Sequence, residues 1–393
     1  MDWKPSGRPV SEIYDDVLAG RRISAGDAHT LLLEGDLLEV GVVADEVRNR
    51  FNNAGVATYN IDRNINYTNV CVYKCRFCAF YRKPGDPEGY LLPFEEIGRK
   101  IEETLALHGT GILMQGGVHP KLGLSYYVDL LTYIREHYPE AHIHAFSPPE
   151  VKFIAKKERM SFYDVIAALK AAGLQSIPGG GAEILSNDTR KRILAHPKTS
   201  ADEWIDIMRQ AHRNGLRTSA TMMYGMGEPL EARVEHFQRI RDLQDETDGF
   251  TAFISWTFQS DNTDLPDIPE TFADEYLRTL AVSRLFMDNI AHLQTSWVTQ
   301  GKKIGQAGLR FGADDMGSIM IEENVVSAAG TAYKMSQAEM EHLIRAAGYE
   351  PRQRTNLYER FVSPEDTVEA AERYQGALTP ENRPSAAALP IIG

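Results

Sequence analysis

The stretch Asn69-Val-Cys-Val-Tyr-Lys-Cys-Arg-Phe-Cys-Ala-Phe80 holds all three cysteines of this 393-residue chain, Cys71, Cys75 and Cys78. Disulfides would favour an even number of cysteines at bridging distances, so three thiols in one short loop indicate a metal centre. A structural zinc site takes four protein ligands, and a catalytic one takes three and a water. An iron–sulfur cubane takes one thiolate per iron, so three cysteines leave one iron open to a small molecule. A zinc site completed by histidines is the alternative.

Working outward from this loop, the chain alternates short strand-like runs with helical ones. The strand-like runs are residues 58–65, 111–114, 142–146, 174–177, 217–224, 251–258, 293–298 and 308–311. Helical patterns between them include residues 94–108, 126–137, 162–172 and 201–214. Eight strands alternating with helices predict an α/β fold, a (β/α)8 TIM-type barrel. A partial six-strand barrel with a C-terminal extension is the alternative.

The same patterns divide the chain into four segments. Residues 1–55 are predicted to be an N-terminal helical segment, 56–330 the barrel core, 331–375 a C-terminal helical extension and 376–393 a flexible tail. Helix starts are expected where a capping side chain precedes a periodic apolar run. Those starts are Ser24, Asp36 and Ser200, the last with Glu203 placed to close a capping box.

The composition is that of an ordinary soluble protein. Hydrophobic residues make up 43% and charged residues 25%, and no apolar run approaches the ~18 residues that a membrane span needs. The first residues contain no apolar stretch typical of a secretory signal, and unpaired thiols fit a reducing cytoplasm. The net charge of −13 argues against nucleic-acid or membrane partners. We therefore expect a cytoplasmic protein with a small-molecule substrate.

Polar and glycine-rich motifs follow several predicted strands, at the end of the barrel where active sites lie. Gln115-Gly-Gly-Val-His119 follows the second strand, and its glycines allow close backbone approach to a ligand or a tight turn. Ile177-Pro-Gly-Gly-Gly-Ala-Glu183 follows the fourth and forms a backbone cradle suited to an anionic or ribosyl group. Thr221-Met-Met-Tyr-Gly-Met-Gly-Glu228 follows the fifth, where its methionines would otherwise fill the core.

The cysteine spacing, three residues and then two with an aromatic before the last cysteine, resembles that of radical S-adenosylmethionine (SAM) enzymes. The resemblance implies a [4Fe-4S] cluster on Cys71, Cys75 and Cys78, with SAM on the fourth iron. One electron then cleaves SAM to methionine and a 5′-deoxyadenosyl radical. Further cofactor contacts implied by the resemblance are the pair Gly116 and Gly117 at the methionyl amino group, Glu183 on SAM, Met223 against adenine and Phe77 as a shield.

Longer motifs narrow the resemblance to the menaquinone/F420 branch of that superfamily. They are Asp62-Arg-Asn-Ile-Asn-Tyr-Thr-Asn-Val-Cys71, Met114-Gln-Gly-Gly-Val-His-Pro120, His144-Ala-Phe-Ser-Pro-Pro-Glu150 and the run from Arg310 to Val326. Over residues 10–365 the chain looks most like the cyclases of the futalosine route to menaquinone. Sister enzymes that join an adenosyl radical to an enol-ether benzoate, or that assemble the deazaflavin FO, are the alternatives. A non-enzymatic iron–sulfur electron carrier is the third possibility.

The chemistry implied by the resemblance is hydrogen abstraction from a ribose C4′ and closure of that carbon onto the substrate's aromatic ring. Such a reaction needs a base for the ring proton and a cation for the substrate carboxylate. Candidate bases are His119, His144, Asp314, Asp315 and Glu228. Arg82 and Arg310 are candidates for the substrate carboxylate. Arg190 and Arg192 are expected on a solvated helix face, and contact of one of them with the SAM carboxylate is the alternative.

A cluster of basic residues surrounds the cysteine loop of this acidic protein. Lys74, Arg76, Arg82 and Lys83 have no acidic neighbour in sequence before Asp86. Opposite charge favours docking, so a transient acidic flavodoxin- or ferredoxin-type reductant is one expectation. A solvated charge run without a partner is the other.

Overall fold

The computed structural model describes residues 3–193, 198–331 and 333–378. Ten strands form one parallel sheet at its centre. In chain order they are β1 Val56–Asn60, β2 Asp62–Ile65, β3 Gly111–Met114, β4 His142–Ala145, β5 Ser176–Ile177, β6 Arg217–Tyr224, β7 Phe250–Thr257, β8 His292–Gln294, β9 Asp315–Ser318 and β10 Glu350–Gln353.

Helices precede, connect and follow these strands. They are α1 Val10–Leu18, α2 Ala25–Glu34, α3 Leu37–Phe51, α4 Phe94–Ala106, α5 Leu124–His137, α6 Pro148–Glu158, α7 Phe162–Ala172, α8 Asn187–Ile193, α9 Ala201–Arg213, α10 Leu230–Thr247, α11 Ala273–Phe286, α12 Trp297–Gln300, α13 Lys302–Gly308, α14 Gln337–Ala346 and α15 Glu365–Tyr374. The apolar core lies between their inner faces and the sheet. No described helix is long and apolar enough to span a membrane.

The sheet curls into a TIM-type barrel. Its strand order is β10-β1-β9-β8-β7-β6-β5-β4-β3-β2, and only Ile61 separates β1, next to one end of the order, from β2 at the other end. Main-chain N–H groups of Ile319 and Ile321 donate to the carbonyls of Asn60 and Asp62, at 3.1 and 3.3 Å. The predicted α/β barrel architecture is therefore confirmed, and its sheet holds more strands than the six-strand alternative.

Two predicted strands are wrong in whole or part. Residues 308–311 are the end of α13 and a turn, in which Arg310 N–H donates to the Ala307 carbonyl at 2.8 Å. Residues 293–298 include the end of β8 but run into α12, so Val298 is helical. Short apolar runs do not separate a strand from a buried helix end by periodicity, which explains both errors.

The C-terminal segment contributes a strand that the sequence analysis missed. Residues 331–375 contain α14 and α15, as expected of a helical extension, but also β10, which pairs with β1 from Val56 opposite Glu350 onward. Pro351 lies in this strand, and an edge position is where a sheet tolerates proline. Of the predicted tail 376–393, residues 379–393 lie outside the described part of the chain.

Helix starts were read correctly from capping side chains. The hydroxyl groups of Ser24 and Ser200 accept the N–H of the third helical residue in α2 and α9, and each forms a full capping box. Asp36 caps α3 through its carboxylate. Each cap satisfies N–H groups that a helix leaves without partners, typically worth about 1 kcal/mol.

Candidate active site

A cavity of about 450 Å³ opens at the carboxyl ends of the strands. We call its upper part the mouth, formed by the cysteine loop (residues 69–82), residues 115–118 and residues 178–183. The lower part is the floor, formed by side chains within the barrel: Asn60, Asp62, Asn64, His144, Arg354 and Tyr358. The two parts differ in chemistry, as described below.

The cysteine loop directly follows β2 and presents its three thiols to the mouth. Cys71, Cys75 and Cys78 are all free and all line the cavity. Main-chain bonds fix the loop: Cys71 N–H donates to the Arg82 carbonyl at 2.9 Å and Cys78 N–H to the Cys75 carbonyl at 3.1 Å. Burial raises the pKa of all three thiols, that of Cys75 to about 12, so a positive centre is needed to hold them as thiolates.

The donor set fits a cluster better than a single ion. Three free thiols line one cavity, and a [4Fe-4S] cluster takes one thiolate per iron. Thiolates on three corners of a [4Fe-4S] cube lie farther apart than the ligands of one tetrahedral ion, and they leave the fourth iron open. The three thiols on one cavity wall therefore fit a cluster ligated at three corners.

Gly116 and Gly117 lie where the mouth is narrowest. A Cβ on Gly116 would overlap the ring of Tyr67, and one on Gly117 would overlap the Val70 carbonyl. Neither glycine has a positive φ, so close approach rather than a left-handed turn requires them. Gly117 N–H donates to the Thr68 carbonyl at 2.7 Å, which joins this loop to the cysteine loop.

Glu150 is a buried carboxylate of the mouth that the sequence analysis quoted in a motif but did not select. It accepts hydrogen bonds from Tyr67 Oη at 2.5 Å, Ser147 Oγ at 2.5 Å and Gly116 N–H at 3.3 Å. Burial is the main cause that raises its pKa to about 7. The signal was available, since the acid stands in the first turn of α6 directly after a strand.

Glu183 lies in the mouth between two cations. Lys198 Nζ is 2.7 Å and Arg190 Nη1 3.3 Å from its carboxylate oxygens, and its backbone has a left-handed φ of 41°. Arg190 is buried and also donates to carbonyls of the glycine cradle, so the expectation of a solvated helix face is wrong for it. Lys198 Nζ also stands 5.0 Å from the ring centre of Phe77.

Met223 and Phe77 both line the cavity as expected. Met223 N–H donates to the Glu183 carbonyl at 3.1 Å, which places β6 against the glycine cradle. Phe77 and Met223 pack around Cys75 together with Met226 and Phe258. This apolar cluster keeps water from one side of the mouth.

Of the candidate bases, His144 alone lines the cavity in the described structure. Its Nδ1 lies 2.7 Å from Ser176 Oγ, and burial lowers its pKa to about 3. His119 is half-buried, and its Nδ1 accepts the Lys121 N–H at 3.2 Å outside the cavity. Neither position suits a base that must take a proton near neutral pH.

The three carboxylate candidates are buried parts of the scaffold, which corrects the expectation of a catalytic role. Glu228 accepts the N–H groups of Gly225 and Met226 and pairs with Arg233 at 2.8 Å. Asp314 bonds Arg284 at 2.8 Å and His292 at 2.7 Å. Asp315 bonds Arg354 at 2.5 Å and Thr58 Oγ1 at 2.6 Å. None of the three carboxylates lines the cavity.

The two arginines proposed for the substrate carboxylate also lie elsewhere. Arg82 pairs with Glu88 at 2.6 Å and donates to the carbonyls of Ala79 and Tyr81, so it braces the cysteine loop from outside the cavity. Arg310 pairs with Asp45 at 3.3 Å and does not line the cavity. Among the described residues, the arginine that lines the cavity is Arg354, just after β10.

The floor contains polar groups that the sequence analysis missed. Asn60, Asp62, Asn64 and Asn66 all line the cavity, whereas Ile61 and Ile65 between them are fully buried in the core. Successive side chains of a strand point to opposite faces, so this alternation marks a strand with a polar inner face. The recurrence of Asn or Asp at every second position in residues 60–66 was the sequence signal that could have predicted this polar face.

A parallel barrel with three free thiols in the loop that follows β2 has the architecture of a radical SAM enzyme. The radical SAM superfamily model matches residues 65–240, and the CofH/MqnC C-terminal region matches residues 247–367. The chain is 46% identical to the cyclic dehypoxanthine futalosine synthase of Halalkalibacterium halodurans, over 93% of this chain and 98% of the relative. It is 44% identical to the enzyme of that name from Streptomyces coelicolor, over 91% and 90%.

Other matches are more distant. Identity to the aminodeoxyfutalosine synthase of Streptomyces coelicolor is 36%, over 88% of this chain and 93% of the relative. Among solved structures, the FeFe-hydrogenase maturase HydG from Carboxydothermus hydrogenoformans superposes with a TM-score of 0.72 at 14% identity, covering 95% of this chain and 86% of that one. At that identity the likeness shows the fold alone. The chain belongs to the radical SAM family that carries the CofH/MqnC C-terminal region, whose cofactors are a [4Fe-4S] cluster and SAM.

Proposed function

We propose that this enzyme converts dehypoxanthine futalosine to cyclic dehypoxanthine futalosine, in the futalosine route to menaquinone. The observation that carries the proposal is the near full-length identity of 46% and 44% to synthases of that name, against 36% to an aminodeoxyfutalosine synthase. The three-thiol mouth and the polar floor supply the chemistry that such a substrate requires.

Cys71, Cys75 and Cys78 would hold the cluster. Gly116, Gly117, Glu183 and Met223 line the mouth next to them and would hold SAM. Together the bound groups supply a 5′-deoxyadenosyl radical. The chain's own part is to fix these contacts: Lys198 and Arg190 hold Glu183, and the Thr68 carbonyl holds Gly117. Such preorganisation keeps the hydrogen donor close to the radical carbon.

The cavity walls suit a substrate with an aromatic part and a sugar part. Apolar side chains such as Trp256, Phe258 and Val298 line one side, and the floor offers hydrogen-bonding amides and carboxylate oxygens. Apolar walls exclude water from a reactive carbon radical, and the polar floor recognises hydroxyl groups. Arg354 also borders the cavity, and its guanidinium, paired with Asp315, holds the floor in place.

We also propose an acidic flavodoxin- or ferredoxin-type reductant and a cytoplasmic location. Lys74 and Lys83 are exposed beside the cysteine loop, while Arg82 is committed to Glu88. An exposed positive patch on a chain of net charge −13 favours a negatively charged partner near the cluster. Three reduced thiols that bind a cluster fit a reducing compartment.

The test is anaerobic turnover of the reconstituted enzyme with SAM and a reductant. We expect dehypoxanthine futalosine to accelerate release of 5′-deoxyadenosine, and deuterium at ribose C4′ to appear in that product. Equal rates with and without the substrate would contradict the assignment. A product that retains adenine, formed from an enol-ether benzoate, would select the aminodeoxyfutalosine synthase reaction instead.

A further inference from the structure

Four carboxylates line the cavity within the described residues, and three have both oxygens engaged. Glu150 has three hydrogen-bond donors, and Glu183 has Lys198 and Arg190. Glu323 accepts the N–H groups of residues 325–327 with its two oxygens. These three acids are held in place by the protein itself. The fourth, Asp62, is different.

Asp62 starts β2 on the floor and is only 8% exposed. Its Oδ2 accepts a hydrogen bond from Asn60 Nδ2 at 3.0 Å, whereas its Oδ1 has no partner among the described residues. Arg354, the nearby cation, is committed to Asp315 by bonds of 2.5 and 3.0 Å. A buried acceptor without a partner costs stability, so its retention on a cavity wall points to a ligand that satisfies it.

The position suits the substrate rather than the cofactor. Asp62 is in register with Gly111 and lies three residues before Ile65, so it is roughly 10 Å from the end of β2 that leads toward the cysteine loop. Burial raises the pKa of this carboxyl, and Ser318, Arg354 and Asn60 offset only part of the rise. A carboxylate of raised proton affinity beside an open cavity can take a proton that an ordinary aspartate would not.

We propose that Asp62 is the catalytic base that takes the aromatic ring proton after ring closure, an inference that rests on the proposed function. In this step the new bond joins ribose C4′ to a ring carbon. The C–H bond of that ring carbon breaks, its proton bonds to Asp62 Oδ1, and its electron pair stays in the ring. The surplus electron leaves to a one-electron acceptor of the iron–sulfur or flavin class, which restores aromaticity.

The test compares the wild-type holoenzyme with the Asp62→Asn and Asp62→Ala variants, using dehypoxanthine futalosine deuterated at C4′. Asn keeps an acceptor oxygen but takes no proton. We expect Asp62→Asn to release deuterated 5′-deoxyadenosine while the ratio of cyclic product to 5′-deoxyadenosine falls about 100-fold, the usual contribution of a general base. Calorimetry without reductant should show substrate affinity within about threefold of wild type, since the hydrogen-bond acceptor remains.

Asp129→Asn is the matched control, because it makes the same change from carboxylate to amide at an exposed position of α5 that does not line the cavity. Its product ratio should stay at the wild-type value. A wild-type ratio in Asp62→Asn would overturn the inference, as would weaker substrate binding with an unchanged ratio, which would make Asp62 a binding group only. Absence of substrate-dependent 5′-deoxyadenosine in the wild type would instead overturn the proposed function and this inference with it.

Discussion

The mouth and the floor of the cavity hold their charged groups in different ways. In the mouth, Glu183 stands between two cations and Glu150 receives three hydrogen bonds, so these groups are fixed before any ligand arrives. On the floor, Asp62 keeps one oxygen without a partner. The difference agrees with the proposal that the mouth binds the cofactor and the floor binds the substrate.

The largest effect is expected in the mouth. Cys75→Ser should abolish cluster binding and turnover, since a hydroxyl is a poor replacement for a thiolate on iron. Iron and acid-labile sulfide should fall together in the anaerobically reconstituted protein. Ala79→Ser, which adds a hydroxyl to the same loop but keeps all three thiols, should retain both. Equal iron content in the two variants would contradict the three-thiol cluster.

The floor depends on a buried ion pair. Arg354→Met should destabilise the fold by about 3–5 kcal/mol, because it leaves Asp315 buried without its cation. Arg310→Met removes the exposed pair with Asp45 and should cost no more than about 1 kcal/mol. Urea unfolding of both variants measures the difference. Similar losses would mean that the Arg354–Asp315 pair does not organise the floor.

Glu150 should make the stability of the mouth depend on pH. Its folded-state pKa is about 7 against an ordinary value of 4.5, so the folded state binds the proton more tightly. Wild-type stability therefore falls as pH rises from about 4.5 to about 7, by on the order of 3 kcal/mol, and levels off above. Glu150→Gln should lack this decline. Parallel curves of unfolding free energy against pH for the two proteins would contradict it.

A smaller effect is expected where loops of the mouth touch. Gly117→Ala places a methyl group against the Val70 carbonyl and should cost about 1–3 kcal/mol as the cysteine loop shifts. Gly55→Ala is the control, since its new methyl group would meet only Asn53 at 3.7 Å. Thermal unfolding and cluster retention should both distinguish the two variants. A Gly117→Ala protein with wild-type thermal stability and cluster content would show that residues 115–118 and the cysteine loop are not tightly packed.

The smallest effect concerns the outside of the mouth. Lys83→Glu should reduce flavodoxin-supported turnover by less than about tenfold at low salt, because it weakens electrostatic steering. Turnover with dithionite should not change. Lys303→Glu, at an exposed lysine of α13, should leave both rates at the wild-type level. A drop with both reductants would point to damage to the cysteine loop instead of a docking surface.

The mouth was far easier to predict from the sequence than the floor. Cysteine spacing and glycine pairs are local patterns, and all of those residues line the cavity. Base candidates were chosen as polar residues near strand ends, yet Asp314 and Asp315 are held by arginines 30 and 39 residues away in sequence. Long-range ion pairing of that kind leaves no trace in local periodicity.

The floor also includes a residue that follows β10, a strand that its amino-acid composition does not predict. β10 reads as Glu-Pro-Arg-Gln, with proline and charges that argue against a strand, and it still brings Arg354 into the barrel. By contrast, the alternation of Asn and Asp with other residues in 60–66 is visible in the sequence and was sufficient to predict a polar inner face. The N-caps at Ser24, Asp36 and Ser200 were predicted correctly because capping is decided within four residues.

The alternation along β1 and β2 limits how this gene can vary in length. Loss or gain of one codon between residues 59 and 64 would rotate the following side chains by half a turn. The side chains of Ile61 and Arg63 would then face the cavity. Asp62 and the neighbouring asparagines would face the hydrophobic core between the sheet and the helices. Insertions and deletions within the ten residues from Val56 to Ile65 should therefore be tolerated less well than single substitutions.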